Sequence, residues 1–160
     1  MFRAILVPVN LTEADNRAVA VAGDLATPGD GAVTLLHVIE TIRDVPFEDL
    51  EDFYQRLEEK ARQGMAELAG RLETTDLAVE QRVVYGRRAQ EIIAFAEQQE
   101  VDLIVLTSRP PDPEHMQEIW GNISHQVMIL ARCPVLLIKY QKESPAPSSR
   151  RALTGGILCA

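Results

Sequence analysis

Short, continuous apolar runs alternate with amphipathic stretches along most of the chain. Ala4-Ile5-Leu6-Val7, Val33 to Ile39 and Asp102 to Thr107 are dense in branched side chains. Runs of this kind fit strands buried on both faces, as in a parallel sheet. Leu77 to Tyr85 alternates less cleanly and closes at Gly86; Pro134 to Ile138 is the fifth run. Between the runs the apolar positions recur at three and four residues, the helical period.

The first helix is predicted to open at Thr12, which stands three residues before Asp15 in a capping-box pattern. Ala14, Ala18, Val21, Ala22 and Leu25 form its inner stripe, and Pro28-Gly29-Asp30-Gly31 ends it. Leu50, Phe53, Leu57, Ala61, Met65, Leu68 and Leu72 give the second helix one long apolar face. Before it lies an acidic connection, Glu40 to Asp52, read as solvated. Ala89, Ile92, Ile93 and Ala96 mark a third helix, and Ile119 to Ala131 a fourth, after the proline-rich segment Pro110-Pro111-Asp112-Pro113.

Strand and helix in alternation specify an α/β fold with an open parallel sheet and helices on both faces. Ligands bind such sheets beyond the carboxyl ends of the strands, where the strand order reverses. Strands one and four are the expected pair, which sets Val9-Asn10 beside Thr107-Ser108 at a crevice. Residues 1–141 read as one domain. Residues 142–160 read as a flexible tail, polar and proline-rich to Arg151, with apolar Ile157-Leu158 that either fray or dock.

Composition narrows the function. The chain has 160 residues, 46% of them hydrophobic and 25% charged, with a formal charge of -8. That balance argues against nucleic-acid and anionic-membrane partners, which would repel most of the surface. No apolar stretch approaches the roughly 18 residues that span a bilayer. The start of the chain lacks the basic region and cleavage site of a secretory signal. Cys133 and Cys159 form no CxxC pair, which fits a cytoplasmic location.

Several segments in the right order resemble the universal stress protein family. Ile5-Leu6-Val7-Pro8-Val9-Asn10 is similar to its opening strand, Leu35 to Ile39 to its second, and Val101 to Val105 to its fourth. Ala89 to Ala96 after Gly86 resembles its third helix. Gly121-Asn122-Ile123-Ser124, then Val127, then Cys133-Pro134-Val135-Leu136-Leu137 resembles its closing unit. The resemblance covers roughly residues 2 to 140. It implies a five-stranded sheet in the order 3-2-1-4-5, of the adenine nucleotide alpha hydrolase-like type. It also implies a homodimer paired through the last strand, Pro134 to Ile138. The other way to cover that apolar edge is the tail folding back.

Members that bind nucleotides resemble a pattern of G-x-x-G, nine residues, then G-[ST]. Glycines there let the backbone approach phosphate, and N–H groups donate to it at a helix N-terminus. This chain has Thr107 and Pro110 in place of the first two glycines, a spacing to Gly121 one residue too long, and Asn122 in place of the hydroxyl residue. Asn10 replaces the family's common aspartate. Proline has no N–H to give. With hydrogen bonds to a charged group worth about 1.5–3 kcal/mol each, losing two weakens phosphate binding about a hundredfold or more. The resemblance still carries Pro8, Val9, Asn10, Val38, Thr107, Ser108, Arg109, Gly121, Asn122 and Ser124 as the ligand-contacting set, with Arg109 as a substitute positive charge.

Other chemistry is thin. His37 lies in an apolar run and reads as a satisfied core histidine; His115 and His125 lack metal-site spacing. Ser108 and Ser124 have no nucleophile elbow. Arg87-Arg88 reads as a solvated pair, and Cys133 as structural. Two functions follow. The first is a non-enzymatic dimeric stress or regulatory module that acts through an unidentified protein partner and does not bind ATP tightly. The second is a sensor of ATP or AMP with at most slow hydrolysis.

Overall fold

The computed structural model describes residues 1–73, 76–108 and 122–140. Among them the strands are β1 (Ala4–Pro8), β2 (Ala32–Ile39), β3 (Ala78–Tyr85), β4 (Leu103–Ser108) and β5 (Val135–Lys139). The α-helices are α1 (Asp15–Leu25), α2 (Glu51–Gly70), α3 (Arg88–Gln98) and α4 (Ile123–Leu130), with a 3-10 turn at Phe47–Leu50. The strands form one parallel sheet in the order β3-β2-β1-β4-β5, as the alternation and the family resemblance predict. The order reverses at β1, which pairs Ile5 with Val33 on one side and with Leu103 on the other.

Two cores follow from the period of two along the strands. Ile5, Val7, Val33, Leu35, Leu103 and Val105 face α1 and α2. Leu6, Leu36, Val38, Ile104 and Leu106 face α3 and α4. The central strands are therefore buried on both faces. Asp102, expected inside the fourth strand, stands just before it. Its carboxylate accepts from the N–H groups of Arg3 (2.8 Å) and Ala4 (3.2 Å), joining β1 to β4 at the end remote from the crevice.

Three helix details depart from the pattern. The inner stripe of α1 is Ala18, Val19 and Ala22, with Val19 fully buried and Val21 only half-buried. On α2 it is Tyr54 that turns inward and Phe53 that stays exposed. Tyr54 wins because its ring stacks on Phe47 (centroids 4.8 Å apart) while its hydroxyl accepts from Ile42 N–H at 2.9 Å. An aromatic body with a satisfied polar tip buries more favourably than Phe53 could at that site. α4 begins at Ile123; residues 119–121 and the proline-rich segment lie outside the described residues, as does the tail.

The acidic connection is exposed from residue 40 to 49, as expected, and is also held at one point. Phe47 meets Tyr54 face to face and Tyr85 edge-on, so the connection is anchored to α2 and β3. Tyr85 Oη donates to Glu58 Oε2 at 2.6 Å. Beyond it, Gly86 has a φ of +148°, and a Cβ there would run into the Glu91 carboxylate. Only glycine makes this turn into α3 without strain.

Burial, and then the bond to Glu58, push the Tyr85 phenol up from 10.0 to about 12. A group whose folded pKa is raised contributes stability that is complete below its unfolded pKa and lost as pH rises through the folded one. Urea unfolding from pH 9 to pH 12 is expected to show stability falling between about 10 and 12. Tyr85→Phe should remove that part of the slope.

Candidate functional site

The crevice forms where β1 and β4 end side by side and their chains turn to opposite faces of the sheet. Pro8, Val9 and Asn10 leave β1, Leu36 and Val38 come from β2, and Leu106 and Thr107 from β4. Asn122, Ile123 and Ser124 enter α4, and Arg88 and Ile92 on α3 close the side. The enclosed volume is about 100 Å³. Of the residues singled out from sequence, Pro8, Val9, Asn10, Val38, Thr107, Asn122 and Ser124 line this one cavity. Ser108 joins them through its hydroxyl, 3.3 Å from Ser124 Oγ. Arg109 and Gly121 lie outside the described residues.

Asn122 caps α4. Its Oδ1 accepts from Ser124 N–H at 3.2 Å and stands 3.1 Å from Ser124 Oγ. Its backbone carbonyl accepts from both His125 and Gln126 N–H at 3.1 Å. Asparagine is among the strongest N-caps, because its side-chain oxygen satisfies an N–H that the helix leaves orphaned. The same property works against anion binding here. An amide already held by Asn122 is not offered to a phosphate.

One residue that the sequence reading passed over organises the mouth. Asp15, treated only as part of a helix start, is fully buried. Its Oδ2 accepts from Asn10 N–H at 3.0 Å and Thr12 N–H at 2.9 Å. Its Oδ1 takes a longer bond, 3.4 Å, from the Thr107 hydroxyl across the crevice. The capping box predicted at Thr12 therefore forms only in its acidic half. The helix begins at Asp15, with Ala14 in the cap position at helical angles. Both N–H groups flanking Leu11 converge on one oxygen, and Leu11 is left at φ +62°. Such left-handed geometry costs a non-glycine residue on the order of 1–3 kcal/mol and persists only where its surroundings impose it. The signal in the sequence was an acid at the first helical position just after an asparagine-ended strand, a pattern that ordinary capping also explains.

Arg88 is the second correction. Read as solvated with Arg87, it is half-buried, lines the crevice and pairs with Glu40 at 3.4 Å. His37 is satisfied as expected. Its Nδ1 lies 2.9 Å from Val9 O, and a carbonyl only accepts, so Nδ1 carries the proton. Cys133 is half-buried in α4's exit, and burial pushes its thiol up, away from reactive thiolate.

A second, larger cavity of about 650 Å³ lies on the α2 side of the crevice. Asn10, Val38 and Arg88 line both. Among the described residues no group of three or more His, Cys, Asp or Glu is placed to hold a metal ion. Nor is any helix among them long and apolar enough to cross a membrane.

The sequence pattern of the universal stress protein family matches residues 1–139. The chain belongs to the universal stress protein family. Universal stress protein G of Shigella flexneri is 26% identical over 145 residues, 87% of this chain and all of that one. Universal stress protein MJ0531 of Methanocaldococcus jannaschii is 25% identical over 150 residues, covering 89% of this chain and 85% of its own. Among solved structures, UspA of Lactobacillus plantarum superposes with a TM-score of 0.69 at 25% identity, over 86% of this chain and 97% of that one. Its family and sheet order are thus shown, while the family's glycine pattern is the part this universal stress protein lacks.

Replacing Asp15 is expected to reveal its role. Asp15→Ala removes three hydrogen bonds, one of them long, and strands two backbone donors, which should cost about 3 kcal/mol in urea unfolding. Asp15→Asn keeps one acceptor oxygen and should lose roughly half as much. In both, amide hydrogen exchange at Asn10 and Thr12 should rise more than at Leu6 in the strand centre.

Proposed function

We propose that this universal stress protein works as a homodimeric regulatory module in the cytoplasm, acting through a protein partner and not as a tight ATP binder. The observation that carries the reading is the contrast between its two sheet edges. Edge strand β3 shows water a charged pair, Glu80 and Arg82, 3.1 Å apart. Edge strand β5 presents Val135, Leu136, Leu137 and Ile138, all half-buried, before its first charge at Lys139. Beside it, Met128, Ile129 and Leu130 on α4 are 44%, 58% and 60% exposed. Charged edges resist pairing and apolar ones invite it. Pairing of Pro134 to Ile138 with the same strand of a second copy would cover edge and helix face together.

A second reading, an adenine-nucleotide sensor, draws support from the crevice. A solved universal stress protein is described in complex with cAMP, and one from Archaeoglobus fulgidus in complex with dAMP. Each is 17% identical to this chain, a level that carries the fold only. The 100 Å³ crevice is well short of the ~300 Å³ at the small end of ordinary ligand pockets. With Asn122 holding an α4 amide, added phosphates gain little there. A nucleoside or AMP fits this chemistry better than ATP.

Light scattering during gel filtration is expected to give twice the 17.8 kDa chain mass. Leu130→Glu, at an exposed position, should shift the protein to the single-chain mass with its circular dichroism unchanged. A single-chain mass for the unaltered protein would defeat the dimer. Calorimetric titration should find ATP no more than about tenfold tighter than AMP, a difference of ~1.4 kcal/mol. ATP released from the purified protein on denaturation would instead favour the sensor.

A further inference from the structure

The cavity on the α2 side shares Asn10 and Val38 with the ligand-contacting set above but extends well beyond it, and it is the larger of the two by volume. At about 650 Å³ it lies within the ordinary ~300–1,000 Å³ range of small-molecule sites. It runs between α2, the end of β2 and the loop after β1. α2 lines it from Phe53 to Glu67, a span of about 21 Å at ~1.5 Å per residue. The space is therefore elongated, and it suits a chain or a short series of rings better than a compact polar molecule.

Its walls are mixed, with an apolar strip left open to water beside polar and charged groups. Ile42 is 50% exposed and Phe53 42%, and Leu11 and Leu57 continue the surface. Their positions are fixed and not adventitious. Ile42 N–H is held by Tyr54 Oη, and Leu11 is fixed by Asp15's grip on both flanking residues. Gly64 in the middle of α2 lets Leu11 approach, since a Cβ there would meet Leu11 Cδ2 at 3.3 Å. A glycine inside a helix costs roughly 0.5–1 kcal/mol against alanine. Here the missing Cβ leaves room for Leu11 beside α2.

Charge chooses the ligand. Arg88 is already paired with Glu40. Lys60 lines the cavity, and among the described residues no carboxylate lies within ion-pair distance of it. Glu67 stands seven residues further along α2, about 10 Å away down the axis. The middle of the wall thus offers a cation with no ion-pair partner among the described residues, and the Glu67 end repels a second anion. A lysine ammonium on a flexible stem over apolar surface can meet a carboxylate while its methylenes cover the chain beside it.

We infer that this cavity is a binding site for an elongated amphipathic monoanion, a fatty-acid-like or arylalkyl carboxylate, with its head at Lys60 and its body on Leu11, Ile42, Phe53 and Leu57. The inference does not depend on nucleotide binding, although the site shares Asn10, Val38 and Arg88 with the crevice.

Three probes of equal chain length test it: decanoate, decanol and decyltrimethylammonium, each titrated below its aggregation concentration and followed by amide chemical shifts. Decanoate is expected to bind at least tenfold more tightly than decyltrimethylammonium, with shifts centred on Ile42, Leu57 and Lys60. Lys60→Glu, at an exposed position, should abolish or invert that preference while the unfolding midpoint stays in place. Leu57→Trp, which fills the cavity, should weaken all three. No binding, equal affinity for the three probes, a preference that survives Lys60→Glu, or shifts centred on Met128 to Leu130 would each overturn the inference.

Discussion

Asp15 keeps its carboxylate out of water and gives one oxygen to two backbone N–H groups of the loop above β1. A buried charge is tolerable only when hydrogen bonds replace its hydration. Here the replacement fixes the path of residues 10–12, sets Leu11 in the left-handed region and directs Asn10 toward the crevice. The Thr107 hydroxyl extends the same carboxylate's reach to β4. The crevice and the larger cavity both take a wall from this loop, so both inherit its geometry. Asp102 does the corresponding work at the opposite end, joining β1 to β4 through the N–H groups of Arg3 and Ala4.

Between those two acids the sheet is held by burial. Leu6, Val7, Val33, Leu35, Leu36, Ile104 and Val105 are inaccessible to solvent. A central strand buried on both faces cannot slip by one residue without exchanging its two cores, which fixes register firmly. The edges obey a different constraint. β3 answers it with charge, while β5 presents four half-buried apolar residues before Lys139. The aromatic group of Phe47, Tyr54 and Tyr85 adds a third region of order, tying an acidic connection to the scaffold and shaping the outer cavity.

The periodicity of the sequence was enough for the strands, because burial on both faces leaves an unbroken apolar run that little else produces. It also located the crevice, since an alternating α/β chain reverses strand order at a place the topology rules restrict. Seven of the ten residues singled out line that crevice: Pro8, Val9, Asn10, Val38, Thr107, Asn122 and Ser124. Asp15 and Arg88 escaped because a charged residue at a helix start has an adequate local explanation. Their actual partners, Thr107 and Glu40, are far along the chain. Phe53 and Tyr54 were exchanged for a similar reason. Both satisfy the helical period within one residue, and only the Ile42 N–H and the Phe47 ring favour the tyrosine.

The sequence by itself determined the α/β class, the universal stress protein family and the loss of the glycine pattern, because each is written in local periodicity or in residues close along the chain. Tertiary structure alone decided that Asn122 occupies an α4 amide, that a single buried acid shapes the β1 loop, and that α2 and β2 enclose a cavity larger than the crevice. The physical reason is distance along the chain. A cavity is space left between elements, and its walls come from residues whose spacing carries no common signal. The β1–β4 apposition predicted at the outset is where these two kinds of information meet: periodicity brings the strands together, and packing decides what remains open above them.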